Sequence, residues 1–308
     1  MPAVEPTNNP FSGALLDRRG VDRAIPGWPE HVLSDPNARF VVSRGTGQLV
    51  RRHPTASIAF LKGSDPMVRA ANPRDLILLG NLGGSPCVLV DLPSDPATLP
   101  AGTAFEELRP LFGLLSAEEA ATLTCARGLV IWRSRHAHCG VCGSATEPRQ
   151  AGHALRCTNS TCATDFFPRI DPAVIVIVHD GARALLGRQA SWPKGRYSAL
   201  AGFVEPGESL EDAVMREVAE ETGIQVNGIH YFASQPWPFP ASIMVGFHAE
   251  APSSAIRLDD ELEDARWFTP EEIAASGGAL LPGPYTIARH LLDAWYLKVT
   301  GRKLTVAA

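Results

Sequence analysis

The chain has 308 residues, a formal net charge of −5 and a pI near 6.0, with 45% hydrophobic and 20% charged residues. This is an ordinary composition for a globular protein of two or three domains, and the acidic balance argues against a broad nucleic-acid-binding surface while leaving room for a small basic groove. No apolar run reaches the roughly 18 residues of a membrane span, and the opening MPAVEPTNNPFSG lacks the regions of a signal peptide, so the cytoplasm is the expected location.

Residues 1–130 alternate short apolar runs with turn residues. ARFVVSR, ASIAFLK and RDLILLGNLGGSPCVLVDL read as strands of an α+β domain, with NLGG as a turn. SAEEAATLTCARGLVIWRSR is the first strong helix, with Ser116 as N-cap and Glu119 placed to complete a capping box. Cys87 and Cys125 stand alone among apolar neighbours and read as small buried hydrophobes.

Four cysteines then cluster as Cys139-x2-Cys142 and Cys157-x4-Cys162. Two such knuckles close a tetrahedral sulfur cage around one zinc, with Gly140 and Gly143 easing the first turn. Disulfides or free thiols are the alternative, weaker in a reducing compartment. Four thiolates leave no open coordination position, so the zinc is expected to be structural.

PAVIVIVHDGARALLGRQ reads as a β-hairpin, Val174 to Val178 forming an apolar strand and Asp180-Gly181 a two-residue type I′ turn. Next comes GFVEPGESLEDAVMREVAEETGI, a helix that Ser209 should cap and Gly223 should end. Its stripe begins with Leu210, Ala213 and Val214 and continues as Glu217, Glu220 and Glu221. Carboxylates crowded on a packing face repel one another and resist ionisation, and a hard divalent cation relieves both problems. A solvated acidic face is the competing reading. Later, DDELEDARWF places an acidic loop before a strand end, with Glu261 as a further metal-ligand candidate or one more exposed acid, and a last helix runs from about Tyr285 to Val299.

The helix segment resembles the Nudix box at each fixed position: Gly202, Glu208, Arg216, Glu217, Val218, Glu220, Glu221, Gly223 and Ile224. The resemblance implies hydrolysis of a nucleoside diphosphate linked to another group, with Glu217, Glu220 and Glu221 as metal-binding and catalytic residues. Glu208 and Arg216 are expected to pair and lock the loop to the helix. Either Glu220 or Glu221 would be the general base. The downstream SQPWPFPAS, the cysteine zone, DPAVIVIV and SALAGFVEPGE together resemble the NADH pyrophosphatase family.

That resemblance implies cleavage of NADH or NAD⁺ to nicotinamide mononucleotide and AMP, removal of NAD caps from RNA by some members, and a homodimer. It implies a Mg²⁺ or Mn²⁺ shell of Glu217, Glu220, Glu221, Glu261 and the Ala201 carbonyl. The substrate pocket would take Gln235, Pro236, Trp237, Pro238, Phe239, Pro240, Ala241, Ser242, Phe167 and Ala288, with Arg109 reaching a phosphate. Prolines fix φ in advance, so they read as a frame for the two aromatics. Phe167 departs from the family's usual Tyr, Ile243 from its usual Leu, and the Cys157–Cys162 gap is longer than the common form. The expected fold is α+β: an α+β domain over 1–130, a four-cysteine zinc ribbon over 131–165, and a Nudix α/β/α sandwich with a mixed sheet over 166–308. Another dinucleotide substrate (ADP-ribose or a diadenosine polyphosphate) and a non-catalytic nucleotide- or RNA-binding module are the alternatives.

Overall fold

The computed structural model describes residues 12, 16–18, 23–276 and 281–305. The chain packs as two compact units. One holds residues 11–170 together with Trp237–Ala241, and the other the remainder, from Asp171 to Pro236 and from Ser242 onward.

The N-terminal unit is built on strands β1 (Leu16–Asp17), β2 (Arg39–Arg44), β3 (Gly47–Arg51), β4 (Ser57–Ile58), β5 (Leu76–Leu82), β6 (Ser85–Leu92) and β7 (Thr103–Glu107). They line up as β1-β5-β6-β2-β3-β4, with β7 beside β3, and among the described residues only β2 and β6 of these paired strands run parallel. Helices α1 (Trp28–Ser34), α2 (Pro66–Arg69) and α3 (Ala117–Arg135) pack on this sheet. The period-two alternation of strands decides which residue meets which helix. Val41, Ile77 and Leu89 face Leu123 and Ala126 of α3, while Phe40, Leu76 and Val88 face Val32 of α1 and Val68 of α2. Both faces are covered, which is why these strands read as continuous apolar runs. Gly83 and Gly84 both take positive φ in the turn expected at NLGG. The same unit carries the small antiparallel sheet β8 (Thr146–Arg149), β9 (Ala154–Cys157) and β10 (Asp165–Phe166), in the order β10-β9-β8.

The C-terminal unit contains β11 (Asp171–His179), β12 (Ala184–Arg188), β13 (Leu200–Phe203), α4 (Leu210–Thr222), β14 (Asn227–Trp237), β15 (Ser242–Glu250), β16 (Asp264–Phe268), α5 (Pro270–Ala275) and α6 (Ile287–Thr300). The sheet order is β14-β15-β11-β12-β16, with β13 beside β11. It is mixed: β11 runs parallel to β15 and antiparallel to β12 and β13. Val174, Val176 and Val178 pack on Ala213, Val214 and Val218 of α4, and Ile175 and Ile177 pack on Leu291 and Trp295 of α6. Alternate residues of one strand thus build both layers of an α/β/α sandwich. Among the described residues no helix is long and apolar enough to cross a membrane.

Three local expectations change. The hairpin after β11 turns one residue later than expected, with Asp180 N–H donating to the Arg183 carbonyl at 3.2 Å, so Gly181 and Ala182 are its central pair. Only Gly181 of these has positive φ, at 94°, which fits a type II′ turn and not I′. The Asp180 carboxylate takes the Ala182 and Arg183 N–H groups at 3.0 and 2.7 Å and holds the turn in this register. In the first zinc knuckle Gly143 has positive φ and Gly140 does not.

At α3, Ser116 caps the Glu119 N–H at 3.2 Å as expected, but the reciprocal half of the capping box is missing. Glu119 instead accepts the Ile58 N–H at 2.9 Å, tying the helix to β4. Glu119→Ala should therefore cost about 1–3 kcal/mol, the penalty of an unmet buried donor, and Glu119→Gln clearly less, since it keeps an acceptor. Urea denaturation midpoints of the two variants test this ranking.

Candidate active site

Helix α4 starts at a complete capping box. Ser209 Oγ accepts the Asp212 N–H at 3.1 Å, and the Asp212 carboxylate accepts the Ser209 N–H at 3.0 Å. Glu211 and Asp212 put negative charge at the positive end of the helix dipole. Gly223, at φ 70°, ends the helix, and its N–H donates to the Ala219 carbonyl. Ala213, Val214 and Val218 face the sheet, and the same buried side carries Glu217 and Glu221, 9% and 4% exposed. Glu220 lies at the rim with its side chain 57% exposed.

Arg216 organises the base of this site. Its Nε and Nη2 grip Glu208 at 2.5 and 3.0 Å, Nη2 also donates to the Phe203 carbonyl at 2.8 Å, and Nη1 donates to both Glu217 and Glu220 at 2.9 Å. The Glu208–Arg216 pair expected from the motif is thus present, and it fastens the end of β13 and the following loop to α4. Bonding to Arg216 holds the Glu208 carboxyl down at about 2. Glu217 is pushed the other way, raised by burial and partly offset by Arg216. Its carboxyl group lies so close to Gly202 that a Cβ there would fall 1.9 Å from Cδ and 2.0 and 2.2 Å from the two oxygens.

Glu221 is the most perturbed carboxyl of the set. Burial, followed by the charges of Glu261, Glu217 and Glu220, pushes it up to about 8. Its Oε2 is buried without a hydrogen-bond partner. Among the described residues only the four cysteines bring three or more ligand atoms within 4.8 Å of one another, so the acids are not drawn up as a closed cage. The charges of Glu261, Glu217 and Glu220 nevertheless act on Glu221, and a hard divalent cation would offset them and occupy its lone oxygen. Glu217 and Glu221 would hold such an ion from α4, with Glu220 at the rim and Glu261 on the exposed loop before β16. Ala201 stands next to Gly202 on β13, paired with Ile175. Arg188 of β12 was not singled out in the sequence. It is buried, pairs with Glu263, donates to the Trp192 carbonyl at 3.0 Å, and so steadies the loop bearing Glu261.

The four cysteine sulfurs of the N-terminal unit lie within 4.8 Å of one another, Cys139 to Cys162 at 3.7 Å and Cys142 to Cys157 at 3.4 Å. Tetrahedral zinc with bonds near 2.3 Å needs sulfur separations of roughly 3.8 Å, so the cage fits the ion. Val141 N–H donates to Cys139 Sγ at 3.4 Å. The longer second knuckle closes through Ala163 at φ 46°, its N–H on the Asn159 carbonyl.

The residues expected to recognise substrate fall in both units. Trp237–Ala241 and Phe167 belong to the N-terminal unit with Arg109, and Gln235, Pro236, Ser242 and Ala288 belong to the C-terminal one. The Arg109 guanidinium stacks over Phe239 at 4.6 Å and reaches Trp237 at 5.6 Å, while Phe112 and Trp237 meet the Phe239 ring edge-on at 5.6 and 5.3 Å. Phe167 is exposed. Gln235 is fully buried, and its amide is engaged inside the unit: Nε2 donates to the Tyr285 carbonyl and Oε1 accepts the Ile287 N–H, both at 2.9 Å. The Gln235 amide thereby satisfies an orphan donor at the start of α6 instead of lying open at the surface. Ala288, 4% exposed, packs in the core beside Ile287, and Ser242 is buried at the start of β15.

Gly202→Ala should push the Glu217 carboxylate aside without disturbing the sheet. Divalent-ion affinity, read from the shift in melting temperature with added Mg²⁺ or Mn²⁺, should fall about tenfold or more while the metal-free melting temperature stays nearly constant.

Three family models cover the chain: the NADH pyrophosphatase-like rudimentary Nudix domain matches residues 37–132, the NADH pyrophosphatase zinc ribbon domain 134–167, and the Nudix domain 169–289. The human NAD-capped RNA hydrolase NUDT12 is 41% identical over 196 residues, which is 59% of this chain but only 42% of that protein. The NAD-capped RNA hydrolase NudC of Mycobacterium bovis is 36% identical over 309 aligned positions, covering 91% of this chain and 94% of the relative. A Nudix hydrolase structure from Nitrosomonas europaea superposes with a TM-score of 0.43 at 20% identity, covering 55% of this chain and 96% of the other. Full-length similarity to NudC, with the three domains in this order, means that the chain belongs to the NADH pyrophosphatase, or NudC-type, family of Nudix hydrolases.

Proposed function

We propose that this protein hydrolyses the pyrophosphate bond of NADH or NAD⁺, releasing nicotinamide mononucleotide and AMP, and removes NAD caps from RNA 5′ ends by the same chemistry. The observation that carries the reading is the buried Glu217–Glu221 pair, with the orphaned Glu221 oxygen beside it, on a helix locked by Glu208 and Arg216. The activity for which the NudC and NUDT12 relatives are named supports the choice of substrate.

A pyrophosphate repels a nucleophile because its oxygens already carry negative charge. Bound Mg²⁺ or Mn²⁺ supplies charge neutralisation and acidifies water. The chain's residues do the rest. Arg216 fixes Glu217, Gly202 leaves room for its carboxylate, and Glu220 or Glu221 accepts the proton of the attacking water as a bridging P–O bond breaks. Trp237 and Phe239 offer aromatic faces for a base or nicotinamide ring, with Arg109 beside them for phosphate. Glu261 and the Ala201 carbonyl complete the metal shell in this reading. Work as a homodimer in the cytoplasm belongs to the same proposal.

Purified protein with Mn²⁺ should be assayed on NADH, NAD⁺, NAD-capped RNA and ADP-ribose at one metal concentration. NADH or NAD-capped RNA should show the highest kcat/KM, and a clear preference for ADP-ribose would defeat the assignment. Glu221→Gln should lower kcat by about a hundredfold or more, and full turnover by that variant would remove α4 from the chemistry.

A further inference from the structure

The prolines at 236, 238 and 240 deprive the recognition segment of every second backbone donor. Strand β14 reaches only to Trp237, and the Phe239 N–H turns back on the Trp237 carbonyl at 2.8 Å, so beyond the strand the Pro238 carbonyl takes a side-chain donor. The donor present here is Arg127, in the middle of α3 and 7% exposed. Its Nε donates to the Pro238 carbonyl at 3.0 Å. Its Nη1 donates to the Thr46 carbonyl at 2.6 Å and to Glu107 at 2.9 Å, and the guanidinium lies 5.1 Å from the centre of the Phe239 ring. One planar cation therefore joins the β2–β3 turn, the end of β7 and the recognition segment. Glu107, 52% exposed at its side chain, also accepts the Thr46 hydroxyl and closes the network.

We propose that Arg127 is a positioning residue for substrate recognition, and that the N-terminal unit serves as the mount that holds Trp237 and Phe239 ready for a dinucleotide. The inference rests on the dinucleotide reading above for its substrate, and on the geometry alone for the mount. Arg127 touches no reacting group in this scheme. It acts through the Pro238 carbonyl and the Phe239 face, and it leaves Arg109 to stack on Phe239 and Trp237. Lysine cannot replace it, because a single ammonium lacks the planar fork needed to reach the Pro238 and Thr46 carbonyls and Glu107 at once while lying over a ring.

The test is Arg127→Lys in the full-length, zinc-replete protein, read three ways. Amide hydrogen exchange in the peptide spanning 234–242 should quicken about tenfold, with no change in α4. The KM for NADH should rise about tenfold while kcat falls less than about twofold, as expected when a hydrogen bond to a charged group is lost from the binding surface. The melting temperature should move by only a few degrees. Glu107→Gln, which loosens Arg127 from an exposed position, should shift exchange and KM in the same directions by a smaller factor, and it serves if Arg127→Lys does not fold. Unchanged exchange over 234–242 in both variants overturns the mount. Faster exchange with an unchanged KM overturns the link from mount to recognition. Failure of the dinucleotide reading shows separately, as wild-type protein that does not turn over NADH.

Discussion

Two carboxylates on the buried face of one helix are a liability that the rest of the C-terminal unit is arranged around. Glu217 and Glu221 occupy positions where the period of α4 calls for apolar side chains. Burial and mutual repulsion make the ionised pair costly, a cost that a fixed cation of the chain or a positive charge from outside it can offset. Arg216 is the first of these. It is committed to Glu208 and to the end of β13, so it partly compensates Glu217 and leaves Glu221 uncompensated. That asymmetry separates the two glutamates: Arg216 bonds Glu217 directly, while one oxygen of Glu221 is buried with no hydrogen-bond partner.

The glycine at 202 follows from the same constraint. A strand residue with any side chain would stand where the Glu217 carboxylate lies. The fixed positions of the motif therefore divide into those that bear charge and those that clear space for it. Neither set can be understood from helix propensity. The capping box at Ser209 and the left-handed Gly223 define the helix ends, so that the carboxylates are presented at fixed heights along it.

Much of this was legible in the sequence because it is local. The strands announce themselves by apolar runs, the zinc cage by cysteine spacing, and α4 by its cap, stop and charge pattern. What escaped reading were the destinations of side chains whose partners lie far along the chain. Glu119 has the right spacing for a capping box, but Ile58 offers a buried N–H that competes for its carboxylate. Gln235 sits inside a motif that resembles a ligand surface, yet the first turn of α6, some fifty residues on, takes its amide. Arg127 looks like one charge on a largely buried helix until Pro238, 111 residues away, is brought against it. At Asp180 the failure was local: the aspartate's own carboxylate captured the next N–H groups and moved the turn by one residue.

The assignment of Trp237–Ala241 to the N-terminal unit has a consequence for how such a protein can be inherited and dissected. The Nudix domain match spans 169–289 without interruption, yet five residues within that span group with the other unit, Phe239 packing in its core and the Pro238 carbonyl accepting from Arg127. A Nudix domain cut out at its sequence boundaries would carry a proline-rich loop with two large aromatics and a buried carbonyl that had lost its donor. The two halves are therefore not modules that recombination could shuffle freely. Any exchange that retained the Nudix domain but replaced the first 130 or so residues would have to bring a new donor for the Pro238 carbonyl and new packing for Phe239.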